Sequence, residues 1–319
     1  MHFPEPLSFT PIYQKRPWGG RTFEHKLGRS LPAEECIGES WEFVDRPDAQ
    51  SLVSAGPLEG TSLHSLWTNH REAVFGAPLH DSDRFPLLVK LLDAREHLSV
   101  QVHPSGKEEG PPLGEPKNEW WYILGAEPAA AVFAGFNTPL SQAAFEAALS
   151  DGSVEALLHT IPVRAGDSIY VPGGRCHAIG GGCLIAEVQQ NSDTTFRVFD
   201  WNRRDSEGRA RALHREESLA CMNFSDVTPS LADPLRGTPF SCEFFDLKEI
   251  QLRQKAAQPH AGGAIFCVLS GSVSVGSRTF CMGDWFLLPL QARLLEFAPE
   301  TPATVLLQVR LPSGASEPV

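Results

Sequence analysis

The sequence predicts a mainly β protein that consists of two jelly-roll β-barrels or sandwiches with a few short α-helices inserted. Two observations favour this class: most of the chain is short β-branched or aromatic runs bounded by Gly, Pro and Asp, and long helical patterns are few. The 319 residues suffice for one large domain or two smaller ones. We expect an N-terminal domain at 1–225, which carries the functional site and the helical insertions, and a C-terminal domain at 226–319.

Three segments show helical patterns. Residues 61–76 place apolar side chains on one face after a Thr or Ser start. Residues 138–161 indicate two short helices separated by Asp-Gly, the first with Thr138 as its N-cap and the second with Ser153. Residues 213–224 favour a third helical segment.

One short pattern occurs twice: Gly-Asp followed by four residues and a proline. It begins at Gly166 and again at Gly283, each time after a hairpin-like segment. The recurrence of both the hairpin and the turn predicts two related β units, the second of which ends near residue 311.

Composition excludes several classes of partner. The formal net charge of −12 disfavours nucleic acid and anionic membrane surfaces, although an anionic small substrate could bind at a local Arg and Lys cluster. No apolar run approaches the roughly 18 residues of a membrane span. The first 20 residues lack the pattern of a secretion signal, and the seven cysteines contain no C-x-x-C pair. We therefore expect reduced thiols and a cytoplasmic protein.

The segment SVQVHP, residues 99–104, predicts a strand with one polar face. Alternation places Gln101 and His103 on one side and two valines on the other. Further along lie Glu119 and GDSIYVPGGRCH, which ends in His177. These pieces resemble the two sequence motifs of the cupin superfamily, in which hairpin strands can direct two histidines and a carboxylate at one metal ion.

Ligand type limits the metal. Two neutral imidazoles and a carboxylate suit Zn²⁺, and equally Fe²⁺ or Mn²⁺. The amide oxygen of Gln101 offers a fourth ligand, which an open iron site with two histidines and one carboxylate does not need. Gln101 therefore favours zinc.

Other polar residues interrupt predicted strands. Lys90 lies in the apolar run FPLLVKLLDA, where an unpaired ammonium would be costly. Glu187 faces the same side as Ile185 and Gln189, and Arg197 follows ten residues later. Two interpretations remain open for Lys90 and Glu187: a buried structural salt bridge, or a functional pair.

Seven segments, in order between residues 16 and 201, resemble the type I phosphomannose isomerase (mannose-6-phosphate isomerase) family in its shorter bacterial form. They are RPWGG (16–20), GESWEF (38–43), FPLLVKLLDA (85–94), LSVQVHP (98–104), KNEWWYI (117–123), GDSIYVPGGRCHAIGGG (166–182) and QQNSDTTFRVFDW (189–201). The C-terminal part fits the family's second, degenerate cupin domain. There Leu290 and Gln291 follow Pro289 without a closing histidine, so no metal is expected.

The resemblance implies a single zinc ion per chain, held by Gln101, His103, Glu119 and His177. It also implies substrate-facing roles for Lys90, Lys117, Glu187 and Arg197. The implied reaction interconverts mannose 6-phosphate and fructose 6-phosphate through a cis-enediol.

Such a reaction needs a base and stabilisation of oxyanion charge. Glu187 is the first candidate for the acid–base role, because burial raises a carboxyl pKa. Lys90 or Lys117 is the second candidate, since burial lowers the pKa of a lysine. Arg197 suits the enediolate or the phosphate, and the three cations together make a positive site for a sugar phosphate.

Two other classes compete with this interpretation. An Fe(II) cupin oxygenase would use His103, Glu119 and His177 and would consume oxygen. A non-enzymatic sugar-binding cupin would bind a sugar phosphate without converting it. An isomerase for free mannose is a smaller variation, and we expect a monomer or a weak homodimer.

Overall fold

Antiparallel strands make up most of this computed structural model, which describes residues 2–76, 82–109, 111–204, 207–232, 239–258 and 262–312. The strands are β1 Ile12–Gly20, β2 Ile37–Phe43, β3 Asp45–Arg46, β4 Ala49–Gln50, β5 Leu87–Ala94, β6 Val100–Val102, β7 Glu119–Ala126, β8 Ala131–Phe136, β9 Leu158–Pro162, β10 Ser168–Val171, β11 His177–Ile179, β12 Cys183–Gln190, β13 Phe196–Phe199, β14 Phe240–Ser241, β15 Asp246–Leu252, β16 Ala256–Ala257, β17 Ala264–Ser270, β18 Ser272–Val275, β19 Arg278–Cys281, β20 Trp285–Leu288, β21 Glu296–Pro299 and β22 Thr304–Arg310. The helices are α1 Thr22–Leu27, α2 Leu63–Phe75, α3 Gln142–Asp151, α4 Val154–Leu157 and α5 Arg215–Cys221, with a 3-10 turn at Leu290–Ala292.

Four larger sheets form two sandwiches. The first pairs a six-stranded sheet, in the order β1-β2-β5-β12-β7-β10, with a five-stranded sheet, β13-β6-β11-β8-β9. The second pairs β14-β15-β22-β17-β20 with β16-β21-β18-β19. Each sheet is open at its edges, so the units are sandwiches and not closed barrels, within the predicted mainly β class.

The central strands of the six-stranded sheet, β2, β5, β12 and β7, are buried on both faces. On one face, Trp121 and Ile185 share a core with Val132 and Ile179 of the facing sheet. The other face packs on the second sandwich in a core that joins residues such as Leu91 and Val188 to Ile265 and Leu307. Because alternate side chains point to opposite faces, a polar residue on this sheet can only face the interior of the first sandwich or the junction between the two.

The repeated Gly-Asp pattern forms the same turn in both sandwiches. Gly166 and Gly283 have φ values of 97° and 85°, a region that favours glycine. The N–H of each glycine donates a 2.8 Å hydrogen bond to a carbonyl oxygen. In both cases the carbonyl belongs to the strand that pairs with the strand following the turn. Asp167 and Asp284 each accept, through Oδ2, the backbone N–H of the residue three positions earlier. These shared contacts confirm the predicted relation between the two β units.

The helices follow the predictions in part. Helix α2 begins after Ser62, whose Oγ accepts the N–H of Ser65 at 3.0 Å. The predicted cap at Thr138 is wrong: α3 begins after Ser141, because its hydroxyl accepts the N–H of Ala144. Ser153 precedes α4 as predicted, but the chain becomes strand β9 after one turn. Helix α5 confirms the third segment, and the six-residue α1 was not predicted. No helix of the described residues is long and apolar enough to cross a membrane.

The N-terminal segment crosses to the second sandwich. Leu7 exchanges two backbone hydrogen bonds with Leu287 of β20, both 2.8 Å long, and the N–H of Phe3 donates to Oε1 of Gln291. Phe3 is fully buried and lies against His70 of α2. The N-terminal segment therefore contacts both α2 and the second sandwich and stabilises their packing. The domain boundary predicted between residues 225 and 226 stays a prediction.

Phe3→Ala is expected to lower the free energy of unfolding by about 3–5 kcal/mol, because it leaves a cavity where an aromatic ring was buried. Urea denaturation measures the effect. Leu294→Ala is the control, since Leu294 is 77% exposed and its truncation should change the stability by less than about 0.5 kcal/mol. Equal effects of the two substitutions would contradict this stabilising role.

Candidate metal centre and active site

Three buried side chains of the first sandwich meet at one point. His103 directly follows β6, Glu119 begins β7 and His177 begins β11. Their ligand atoms all lie within 4.8 Å of one another. Nε2 of His103 is 3.3 Å from Oε1 of Glu119, and Nε2 of His177 is 3.8 Å from Oε2. The structure thus brings together three of the four predicted ligands.

Backbone carbonyls orient both imidazoles. Nδ1 of His103 is 2.9 Å from the carbonyl oxygen of Thr194, and Nδ1 of His177 is 2.8 Å from that of Arg175. Because a carbonyl can only accept, Nδ1 carries the proton and the Nε2 lone pair faces Glu119. Burial lowers the pKa of His103, and burial with the nearby His103 lowers that of His177 to about 3. Both rings are therefore neutral, as a metal ligand must be.

The donor atoms of the cluster fit a cation. Nε2 of His177 is buried and has no hydrogen-bond partner among the described residues, while the buried Glu119 carboxylate forms an ion pair with Lys117. Burial raises the pKa of Glu119, but Lys117 and then His103 outweigh it and hold the pKa well below its usual range. A buried imidazole lone pair without a hydrogen bond is costly, and a bound metal ion removes that cost.

Gln101 lies on the same face as the cluster. In the five-stranded sheet it stands directly opposite His177 on one side and Arg197 on the other. Directly paired residues of antiparallel strands share a face, so His177, Gln101 and Arg197 form one row. Gln101 is half-buried and lines the cavity described below. Its role as a fourth ligand stays a prediction.

Lys117 contacts the cluster directly. Its Nζ lies 2.5 Å from Oε1 of Glu119 and 3.2 Å from Nε2 of His103. Burial lowers the pKa of Lys117, but the Glu119 carboxylate outweighs burial and raises the pKa above its usual value. The pKa of Lys117 is therefore raised and not lowered as expected, because a buried carboxylate lies beside it, and its role as a candidate base stays a prediction.

Lys90 and Glu187 form the predicted buried pair. They are cross-strand partners in β5 and β12, with Nζ 3.5 Å from Oε2. Nε1 of Trp121 donates 2.8 Å to the other oxygen of Glu187. Burial, and then the charge of Glu119, raise the pKa of Glu187 to about 7. The salt bridge exists and also borders a cavity, so the two interpretations left open by the sequence are compatible.

A cavity of about 470 Å³ adjoins these groups. Its buried wall contains Glu119, Gln101, Lys117, Lys90, Glu187 and Glu39, and its more exposed part contains Lys15, Arg16, Arg197 and Arg211. Glu39, Arg16 and Arg211 were not singled out in the sequence. Arg16 and Glu39 lie within RPWGG and GESWEF, two of the segments that carry the family resemblance, and this resemblance could have indicated them. Arg211 lies in a segment without regular alternation of polar and apolar residues.

Arg197 forms no ion pair within 4 Å among the described residues, and the charge of Asp200 only partly offsets its own. Its Nε donates to Oγ of Ser99 at 3.2 Å, and its Nη1 donates to the carbonyl of Ala212 at 3.0 Å. Burial, and then repulsion from Arg211, lower the pKa of Arg197. Bidentate hydrogen bonds to Asp200 hold Arg211 in place. An anionic ligand would relieve this repulsion, so the more exposed part of the cavity suits a phosphate.

Two open β-sandwiches of jelly-roll type, with a buried His-Glu-His cluster in the first, define a metal-binding protein of the cupin class. Residues 7–139 match the family model of the phosphomannose isomerase type I catalytic domain. The chain belongs to the type I phosphomannose isomerase family. It is 36% identical over 301 residues to the mannose-6-phosphate isomerase ManA of Bacillus subtilis (strain 168), which covers 89% of this chain and 93% of that protein.

Solved structures agree with this assignment. The crystal structure of the mannose 6-phosphate isomerase from Bacillus subtilis superposes with a TM-score of 0.80 at 32% identity, covering 96% of this chain and 100% of that one. A mannose 6-phosphate isomerase described as bound with zinc and yttrium has a TM-score of 0.74 at 16% identity, over 96% and 99% of the two chains. The second likeness concerns the fold alone.

Proposed function

We propose that this protein is a zinc-dependent aldose–ketose isomerase that interconverts mannose 6-phosphate and fructose 6-phosphate. One observation carries the proposal: a single cavity joins a buried His-Glu-His cluster, a carboxyl group of raised pKa and a group of arginines. Two relatives that are 36% identical to this chain, from Bacillus subtilis and Streptococcus mutans, are mannose-6-phosphate isomerases, which supports the substrate.

His103, Glu119 and His177 would hold the metal, with Gln101 as a fourth ligand from the same face. Zinc would act there as a Lewis acid on the substrate oxygens. The four-ligand set favours zinc over an iron site that must keep positions open for oxygen. Free thiols at all seven cysteines support a reducing compartment, the cytoplasm, as the location.

Glu187 is the proposed base. In the aldose-to-ketose direction its carboxylate would take the proton from C2 while O1 gains a proton, which gives the cis-enediol. The same carboxyl would then return its proton to C1 as the O2 proton leaves, so that no proton is gained or lost overall. A pKa of about 7 suits a group that must accept and donate in one cycle. Lys90 beside it would stabilise its ionised form, and Lys117 would face the substrate near the metal.

Arg197 and Arg211 would bind the phosphate, Arg197 through its planar fork. Arg211→Ala is expected to raise KM for mannose 6-phosphate about tenfold, with a smaller change in kcat, because one charge-assisted contact is lost. Steady-state kinetics measure the effect. Arg209→Ala is the matched control, since Arg209 is exposed and ion-paired with Glu207. An unchanged KM would exclude Arg211 from phosphate binding.

A coupled assay tests the function itself. Formation of fructose 6-phosphate from mannose 6-phosphate is followed with the purified protein, after chelation, and after zinc is restored. We expect activity that chelation removes and zinc restores. Oxygen uptake without isomerisation would favour the Fe(II) oxygenase, and binding of mannose 6-phosphate without conversion would favour the sugar-binding cupin.

A further inference from the structure

Four side chains form a continuous row across the six-stranded sheet. Trp41 pairs with Lys90, Lys90 with Glu187, and Glu187 with Trp121, on the neighbouring strands β2, β5, β12 and β7. Directly paired residues of antiparallel strands lie on the same face. The row therefore forms a cross-strand ladder with one ammonium and one carboxyl group between two indoles.

Glu39 extends this row by a second carboxyl group. It lies two residues before Trp41 on β2, and hence on the same face. Nε1 of Trp41 donates 2.7 Å to Oε2 of Glu39, just as Nε1 of Trp121 donates to Glu187. The Lys90 ammonium stands between the two carboxyl groups, 3.9 Å from Oε2 of Glu39 and 3.5 Å from Oε2 of Glu187.

The two carboxyl groups differ in their other partners. Oε1 of Glu39 accepts a hydrogen bond from Nε of Arg16 at 2.7 Å. Burial raises the pKa of Glu39, but Lys90 and then Arg16 outweigh it and lower the pKa to about 2. Among the described residues no arginine forms an ion pair with Glu187, and burial with the charge of Glu119 raises its pKa to about 7. One ammonium thus lies within 4 Å of two buried carboxyl groups, of which Glu39 has a second cationic partner in Arg16.

We infer that Glu39 is a positioning residue: its carboxylate shares the Lys90 ammonium with Glu187 and so weakens the stabilisation that Lys90 gives to ionised Glu187. This inference rests on the proposed acid–base role of Glu187. Without the charge of Glu39, Lys90 would pair with Glu187 alone and favour its ionised form. Glu187 would then be a weaker proton acceptor.

The other charged groups that face Glu187 do not replace Glu39. From β7 and the segment before it, Glu119 opposes ionisation of Glu187 and Lys117 favours it. Both groups are present in wild type and in a Glu39 variant. The difference between wild type and a Glu39 variant therefore isolates the sharing of Lys90.

Carbon-13 NMR of the glutamate carboxyl groups in the zinc-loaded protein tests this directly. The Glu187 resonance, assigned with Glu187→Gln, is titrated in wild type and in Glu39→Gln. We expect Glu39→Gln to lower the pKa of Glu187 by at least about one unit, since a carboxylate with an undivided cationic partner ionises more readily. Glu24→Gln, at an exposed ion pair with Arg21 outside the cavity, should leave the pKa unchanged. An unchanged or higher pKa in Glu39→Gln would overturn the inference.

Kinetics provide a second readout. The acidic limb of the pH profile of kcat/KM should move to lower pH in Glu39→Gln, because the Glu187 base becomes ionised at lower pH. The value of kcat on the pH-independent plateau should fall. Glu39→Asp, which keeps the charge, should restore the wild-type limb. A merely structural Glu39 would leave the limb in place in both variants.

Arg16→Gln covers the case in which Glu39→Gln does not fold. Arg16 is partly exposed, and its loss leaves Lys90 as the main cation beside Glu39. The pKa of Glu187 should then rise, and a fall would overturn the inference. The NMR titration does not depend on catalytic turnover. If the protein lacked isomerase activity, the proposed function would be refuted, but the titration would still measure how Lys90 is shared.

Discussion

Glu187→Gln is expected to lower kcat for the isomerisation of mannose 6-phosphate by about 10²–10⁴-fold, the usual contribution of a positioned general base. The amide has the volume of the carboxyl group, and its oxygen can still accept the N–H of Trp121. It cannot take a proton from C2. The loss should therefore appear in kcat, with little change in KM or in zinc content. Steady-state kinetics on protein of measured zinc content give the result.

Glu155→Gln is the matched control, because Glu155 is exposed on α4 and far from the cavity in the fold. It should keep wild-type kinetics. Near wild-type turnover in Glu187→Gln would remove Glu187 as the base and leave Lys90 as the next candidate. Loss of zinc along with activity would instead point to an indirect effect on the metal centre.

His177→Ala is expected to weaken zinc binding by about 100-fold or more and to abolish turnover. His177 is fully buried, its imidazole is held by the carbonyl of Arg175, and its Nε2 faces Glu119. Loss of a ligand costs more than loss of its outer hydrogen-bond partner, which alone costs about 10–100-fold in metal affinity. Zinc content after dialysis and competition with a chromogenic chelator measure the change.

His25→Ala is the control for this substitution, since the side chain of His25 is 71% exposed on α1. It should retain one zinc per chain. Full zinc content in His177→Ala would exclude His177 as a ligand. A variant that binds zinc at wild-type affinity but is inactive would place His177 in the reaction and outside the metal site.

Local patterns predicted the strand that carries part of the candidate metal site. In SVQVHP, Val100 and Val102 are fully buried in the core beside the helices, and His103 reaches the cluster from the other face. The prediction succeeded because side-chain alternation depends on neighbouring residues alone. The prediction from the Gly-Asp repeat succeeded for the same reason, since a turn that needs a positive φ favours glycine at that position of the sequence.

Other features depend on residues far apart in the chain. The cap at Thr138 failed because Thr138 and Ser141 are both suitable caps, and the hydrogen bond from the N–H of Ala144 to Ser141 decides between them. Glu39 was missed because its importance comes from Lys90, 51 positions away, and from Arg16 on another strand. The residues next to Glu39 in the sequence do not indicate these contacts.

The sequence by itself therefore determined the fold class, the repeat of the β unit and the ligand types of the metal centre. Only the tertiary structure decided how charge is shared among Arg16, Glu39, Lys90 and Glu187, and that Lys117 pairs with Glu119. The reason is physical. Strand alternation is a short-range property of the chain, whereas a pKa depends on burial and on charges within a few ångströms, which sheet register and packing bring together.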